Sequence, residues 1–127
     1  MKISEVAAKT GLTIDTLRFY EKIGLITPPP RDDAGRRSYD PDILGWVRFL
    51  DQLNATGMKQ ADRIRYARLR AQGPATYAER RQMLEDHRTA IAAQLVQLQD
   101  TLKLMDQKVV HYRALEAQHI EPEPTHD

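Results

Sequence analysis

Leu17-Arg18-Phe19-Tyr20-Glu21-Lys22-Ile23-Gly24-Leu25-Ile26 decides the fold, through its own periodicity and through what stands on either side of it. On a helical wheel of about 100° per residue, Ile14, Leu17, Tyr20, Glu21 and Gly24 share one side, while Asp15, Arg18, Phe19 and Lys22 share the other. Thr13 stands where an N-cap would, its hydroxyl placed to accept from the amide of Asp15 or Thr16. Upstream, Ser4 is expected to cap a short helix with Ile3, Val6 and Ala7 facing inward, and Gly11 supplies the permissive backbone that ends it. Two short helices across a tight turn, the second with a basic and aromatic outer face, read as a helix-turn-helix.

Working outward, Pro28-Pro29-Pro30 stops any helix, because each ring fixes φ and removes an amide donor. Asp32-Asp33-Ala34-Gly35 is a turn signal, so Arg31 on one arm and Arg36, Arg37 and Tyr39 on the other are expected to project from a small β-hairpin wing. Asp40 as N-cap and Pro41 at the first helical position predict a third helix with the stripe Ile43, Trp46, Val47, Leu50 and Leu53. Asn54-Ala55-Thr56-Gly57 closes it, and a basic fourth helix follows from about Lys59 to Gln72 until Gly73-Pro74 breaks the chain. Thr76-Tyr77-Ala78-Glu79 fits a reciprocal capping box, which opens a long fifth helix.

In that helix Ile91, Leu95, Leu98, Leu102, Met105, Val109 and Tyr112 alternate four and three apart, an a/d seam over three heptads. A helix from Thr76 to Gln118 spans on the order of 60 Å at ~1.5 Å per residue, more than the N-terminal body covers, so its seam calls for a second copy. Lys108 and Arg113 at g and e positions would clash in a parallel pair, which favours antiparallel pairing. The expected organisation is a DNA-binding domain over 1–72, a hinge at 73–75, a dimerisation helix over 76–118 and a disordered acidic tail over 119–127. The fold class is mainly α: a winged helix-turn-helix followed by an antiparallel coiled coil.

The 127 residues carry a formal net charge of +1, which conceals an asymmetry. Met1 to Arg81 holds 15 Lys and Arg against 10 Asp and Glu, whereas Gln82 to Asp127 holds 4 against 8. A body of +5 joined to a segment of −4 suits a polyanion partner for the body alone. Cysteine is absent, which excludes disulfides, thiol nucleophiles, thiolate metal sites and thiol redox sensing. No apolar run approaches a membrane span, and no signal-peptide core opens the chain, so a cytoplasmic location without membrane contact is expected.

No nucleophile motif, phosphate loop or paired carboxylate supports catalysis, and His87, His111, His119 and His126 are scattered without metal-ligand spacing. Neither an enzyme, a cofactor nor a metal is expected. The residues suit DNA better. On a helix in the major groove Arg18 reaches guanine edges or phosphate, Thr16 and the first amides bond phosphate, Lys22 adds charge, and Phe19 packs on sugar or a base methyl group. Arg36, Arg37 and Tyr39 suit phosphate or minor-groove contact, and Lys59 at a helix N-terminus suits backbone contact. The remaining arginines of the fourth helix read equally well as a solvated face. Trp46, Tyr66, Tyr77 and Met83 could line a small-molecule pocket, or they could simply pack the core.

Ile3-Ser4-Glu5-Val6-Ala7, the segment Thr13 to Leu25 and Arg37-Ser38-Tyr39 together resemble the MerR (mercury-resistance regulator) family, closely over residues 1–70 and more loosely beyond. The resemblance implies a winged helix-turn-helix dimer joined by an antiparallel coiled coil. It also implies binding to pseudo-palindromic promoter operators, and bending and untwisting of that DNA for RNA polymerase. It places Thr16, Arg18, Phe19 and Tyr20 in the recognition helix, Arg36, Arg37 and Tyr39 in the wing, and Lys59 near a second wing. Phe19 replaces the usual first tyrosine of an adjacent pair, and Gln60 and Arg63 stand where apolar residues are common. A sequence-specific transcription regulator answering to a non-thiol effector is the expected function. The alternative is an effector-blind architectural or partner-recruiting DNA-binding protein.

Overall fold

A computed structural model describes residues 1–119 of the chain. Its helices are α1 (Ile3–Thr10), α2 (Ile14–Ile23), α3 (Ile43–Ala55), α4 (Gln60–Ala71) and α5 (Tyr77–Gln118), with a 3-10 turn at Pro74–Thr76. Contacts divide the chain into a body over Met1–His87 and a second unit from Arg88 onward. The expected acidic tail lies, apart from His119, outside the described residues.

The core of the body follows from the apolar stripes. Val6 of α1, Leu17 of α2, Leu25 and Ile26 after it, and Val47 and Leu50 of α3 are all but excluded from solvent. Each such side chain contributes about 1.5–3 kcal/mol by leaving water. Gly11 and Gly24 end α1 and α2 at φ of 76° and 87°, left-handed values that a side chain would strain, and so allow two tight reversals. After Gly24 the amides of Leu25 and Ile26 both return to the Tyr20 carbonyl, which turns their side chains into the core. Trp46 then ties α3 to this turn: its indole N–H donates to the buried Leu25 carbonyl at 2.8 Å. Its ring stacks on Tyr66 of α4 with centroids 6.0 Å apart, and the Arg70 guanidinium lies 4.2 Å above it.

Several boundaries differ from the sequence expectation. Lys2, with no side-chain cap bond, precedes α1, so Ser4 sits inside its first turn. The wing contracts to one antiparallel bridge, Arg31 with Arg37, because the prolines before it have carbonyls to offer but no amides. Asp40 does cap, but it caps a turn: its carboxylate accepts from the Asp42 amide and α3 begins at Ile43. The Thr76–Glu79 capping box is not formed. The Thr76 hydroxyl donates to the Leu69 carbonyl at 2.6 Å and accepts from Arg80 Nε, while Glu79 pairs with Arg65 at 3.7 Å on the surface. The Leu69 carbonyl, which also accepts from the Gln72 amide at the end of α4, is the partner that takes that hydroxyl instead.

The first turns of α5 belong to the body, where Met83 and Leu84 pack on the core and His87 Nε2 lies 2.7 Å from the Thr56 hydroxyl. In the second unit the seam residues Leu95, Leu98, Leu102, Met105, Val109 and Tyr112 are exposed, and Ile91 is half-buried. None of the 42 residues of α5 is buried. Replacing Trp46 by Phe should leave the Leu25 carbonyl without its donor and cost about 1–3 kcal/mol. Urea unfolding at fixed protein concentration, followed by far-UV circular dichroism, measures that loss.

Candidate nucleic-acid interface

The outer face of α2 is built as its periodicity requires. Thr13 caps the helix, its hydroxyl accepting from the Thr16 amide at 3.1 Å and lying 2.9 Å from the Thr16 hydroxyl. Leu17 is fully buried and Tyr20 packs against the core, which fixes the rotation of the helix. Arg18, Phe19 and Lys22 are thereby left in solvent, with Phe19 48% exposed. A large exposed aromatic between two cations, on a helix whose other face is pinned, is a surface prepared for contact. Lys59 is also exposed, immediately before α4.

The wing is held by its own turn. Asp32 accepts from the amides of Ala34 and Arg36 through one carboxylate oxygen, and the Arg31 guanidinium donates to the Gly35 carbonyl at 2.7 Å. Arg36 and Arg37 are exposed there. Tyr39 departs from the expectation that it projects outward: it is 3% exposed and belongs to the core cluster. Its amide donates to the Met1 carbonyl and its hydroxyl to Glu21. With only one bridged pair in the wing, the chain turns inward before an outward-facing position for Tyr39 is reached.

Glu21 is the residue that sequence reasoning left without a task. Its side chain is 7% exposed, and the carboxylate accepts from the Tyr39 hydroxyl through one oxygen and from Arg37 Nη1, at 2.6 Å, through the other. One buried acid thus joins α2 to the wing. The signal was its position on the inward face of the wheel, where a carboxylate must have partners. Arg18, Lys22 and Arg37 line, with Glu21, Ile3 and Pro28, an open groove of about 570 Å³ between helix and wing. Three guanidinium or ammonium groups around one such groove favour a polyanion.

The four candidate pocket residues do not line one cavity. Trp46 and Tyr66 stack on each other, Met83 packs on the core, and Tyr77 is 63% exposed beneath the Arg80 guanidinium. Arg63 is buried, with a Nε that has no hydrogen-bond partner. Among the described residues no cluster of acidic residues and histidines is arranged to hold a metal, and no helix is long and apolar enough to cross a membrane.

Residues 2–39, which contain α1, α2 and the wing, match the model of the MerR family regulatory proteins. An HTH-type transcriptional regulator of Haemophilus influenzae, itself without an assigned role, is 32% identical over 114 residues, covering 90% of this chain and 84% of that protein. The chain belongs to the MerR family. AdhR of Bacillus subtilis, an HTH-type transcriptional regulator, is 39% identical over 88 residues, which are 69% of this chain and 63% of AdhR. The chain therefore spans somewhat less than two thirds of that relative. The crystal structure of HiNmlR, a MerR family regulator lacking the sensor domain and bound to promoter DNA, superposes with a TM-score of 0.80 at 32% identity. It covers 91% of this chain and 92% of its own. These relatives are named regulators, not enzymes.

Burial, together with the hydrogen bond to Glu21 and that carboxylate's charge, raises the Tyr39 phenol well above its ordinary ionisation range. The folded state thus holds this proton more tightly than the unfolded chain. Its stabilising effect is complete below the free phenol value of about 10 and is lost as pH rises above it. Spectrophotometric titration of the wild type minus Tyr39→Phe should show no ionisation through that range while the protein stays folded. A difference signal centred near the free value would place Tyr39 in solvent.

Proposed function

We propose that this MerR-family member is a homodimeric, sequence-specific transcription regulator that binds a pseudo-palindromic promoter operator. In this reading α2 enters the major groove, where Arg18 reads guanine edges, Phe19 packs on sugar or thymine methyl, and Thr13, Thr16, Tyr20 and Lys22 set the helix against the phosphates. Arg36 and Arg37 of the wing and Lys59 before α4 bind backbone. Tyr39 acts from inside, through Glu21. The observation that carries the reading is the groove in which Arg18 and Lys22 of the pinned recognition helix meet Arg37 of the wing.

The dimer is supported by the exposed seam from Ile91 to Tyr112, which offers an apolar stripe three heptads long to a second copy, most simply antiparallel. In this reading the DNA-binding domain proper is 1–72, 73–75 join it to the helix, and 76–118 dimerise. Distortion of the bound promoter is the means of control, and RNA polymerase is the beneficiary.

On the input to the regulator, two observations favour the effector-blind form over the effector-responsive one. Trp46 and Tyr66 stack on each other, Met83 packs on the core and Tyr77 lies in solvent, so the four do not enclose one cavity, and HiNmlR, matched over nearly its whole length, lacks a sensor domain. In this form the promoter geometry is set by occupancy alone, since a switch requires a ligand that binds two states unequally.

Arg18→Ala should weaken binding to an operator selected from random duplexes by about 1–3 kcal/mol and leave scrambled duplex nearly unaffected. Equal loss on both would make Arg18 a phosphate contact only. Reconstituted transcription from purified dimer, polymerase and promoter should change on adding the dimer alone; dependence on a small-molecule extract would restore the effector-responsive reading.

A further inference from the structure

Glu21 places a negative charge beside the cations of the proposed DNA surface, where simple electrostatics would remove it. Its carboxylate is nearly buried, spans from α2 to the wing, and divides its two oxygens between Tyr39 and Arg37. The Arg37 side chain is 44% exposed, with Nη1 committed to Glu21. A guanidinium carries five donors in a fixed plane, so fixing one edge against a carboxylate aims the rest.

We propose that Glu21 is a positioning residue for DNA binding: it holds Arg37 so that the remaining guanidinium donors meet a backbone phosphate, with the Tyr39 hydroxyl holding Glu21 in turn. This rests on the DNA-binding reading above. The groove beside the pair carries Arg18 and Lys22 as well, so the carboxylate leaves a net cationic surface and fixes where one of its charges points. An unrestrained arginine loses rotamer freedom when it binds, and a pre-aimed one has already lost it in the folded protein. Tyr39 adds what a surface ion pair lacks: a buried donor that keeps the carboxylate in a single orientation.

The sign of the effect separates this account from electrostatics. Glu21→Gln removes a negative charge next to bound phosphate, so charge alone predicts tighter binding to every duplex. Positioning predicts the opposite. With the full-length protein, a selected operator duplex and a scrambled duplex of equal length across a salt series, Glu21→Gln should bind both about three- to tenfold more weakly. The salt slope should be shallower by about one, as if one phosphate contact were lost. Arg37→Ala should behave alike, and the double variant should bind no more weakly than Arg37→Ala. Circular dichroism confirms that each variant is folded.

Arg37→Lys provides a second reading that leaves Glu21 and its bond from the Tyr39 hydroxyl in place. Lysine keeps the charge but has no fork to share between carboxylate and phosphate, so comparable loss is expected. Wild-type or tighter binding by Glu21→Gln, additive losses in the double variant, or full affinity in Arg37→Lys each overturns the inference and leaves the DNA-binding reading standing. A wild-type protein that binds neither duplex overturns both.

Discussion

The indole of Trp46 holds the body together where its helices converge. Its N–H meets the buried Leu25 carbonyl just after α2 ends, and its ring is stacked on Tyr66 and covered by Arg70. A backbone carbonyl in the core must find a donor, and an indole must find an acceptor; here each satisfies the other. The exit of α2 is thus fixed to α3 and α4. Because Leu17 and Tyr20 fix the rotation of the same helix, the directions of Arg18, Phe19 and Lys22 follow from packing they take no part in. Of the rings that a sequence reading offers to a small molecule, Trp46 and Tyr66 are stacked on each other in this anchor, while Tyr77 lies in solvent.

Glu21 plays the complementary part on the wing side. Trp46 anchors the helix from within, and Glu21 joins it to a wing so short that a single bridge is all its ladder provides. A wing of this kind has little stability of its own. Its contacts with α2 run through a nearly buried carboxylate, a buried phenol and a half-exposed guanidinium. Those contacts explain why an acid is found amid a cationic surface without cancelling its purpose.

What the sequence made legible was whatever depends on near neighbours. The faces of α2, its Thr13 cap, the glycine ends of α1 and α2 and the seam of α5 all follow from spacings of three, four or seven residues. Contacts over longer separations were not legible. Glu21 could be placed on the inward face, but its partners stand 16 and 18 residues on, and nothing local points to them. Tyr39 was assigned outward because alternation in a hairpin assumes a hairpin long enough to alternate. Thr76 met a correct local pattern with a stronger competitor, the Leu69 carbonyl, and Arg63, standing where the family resemblance places apolar residues, is buried despite its charge.

The exposed seam and the charge asymmetry lead to the same picture from independent directions. In the proposed reading a basic body faces DNA, and an acidic helix with an exposed apolar stripe faces another copy of itself. Two-fold symmetry in such a dimer would impose two-fold symmetry on its target. Hydroxyl-radical footprinting of the purified protein on the DNA that flanks its own gene tests this most directly. The account predicts two protected half-sites related by a dyad, on one face of the duplex and separated by whole helical turns of about 34 Å. A single protected patch without a dyad, or protection that no sequence localises, would contradict it.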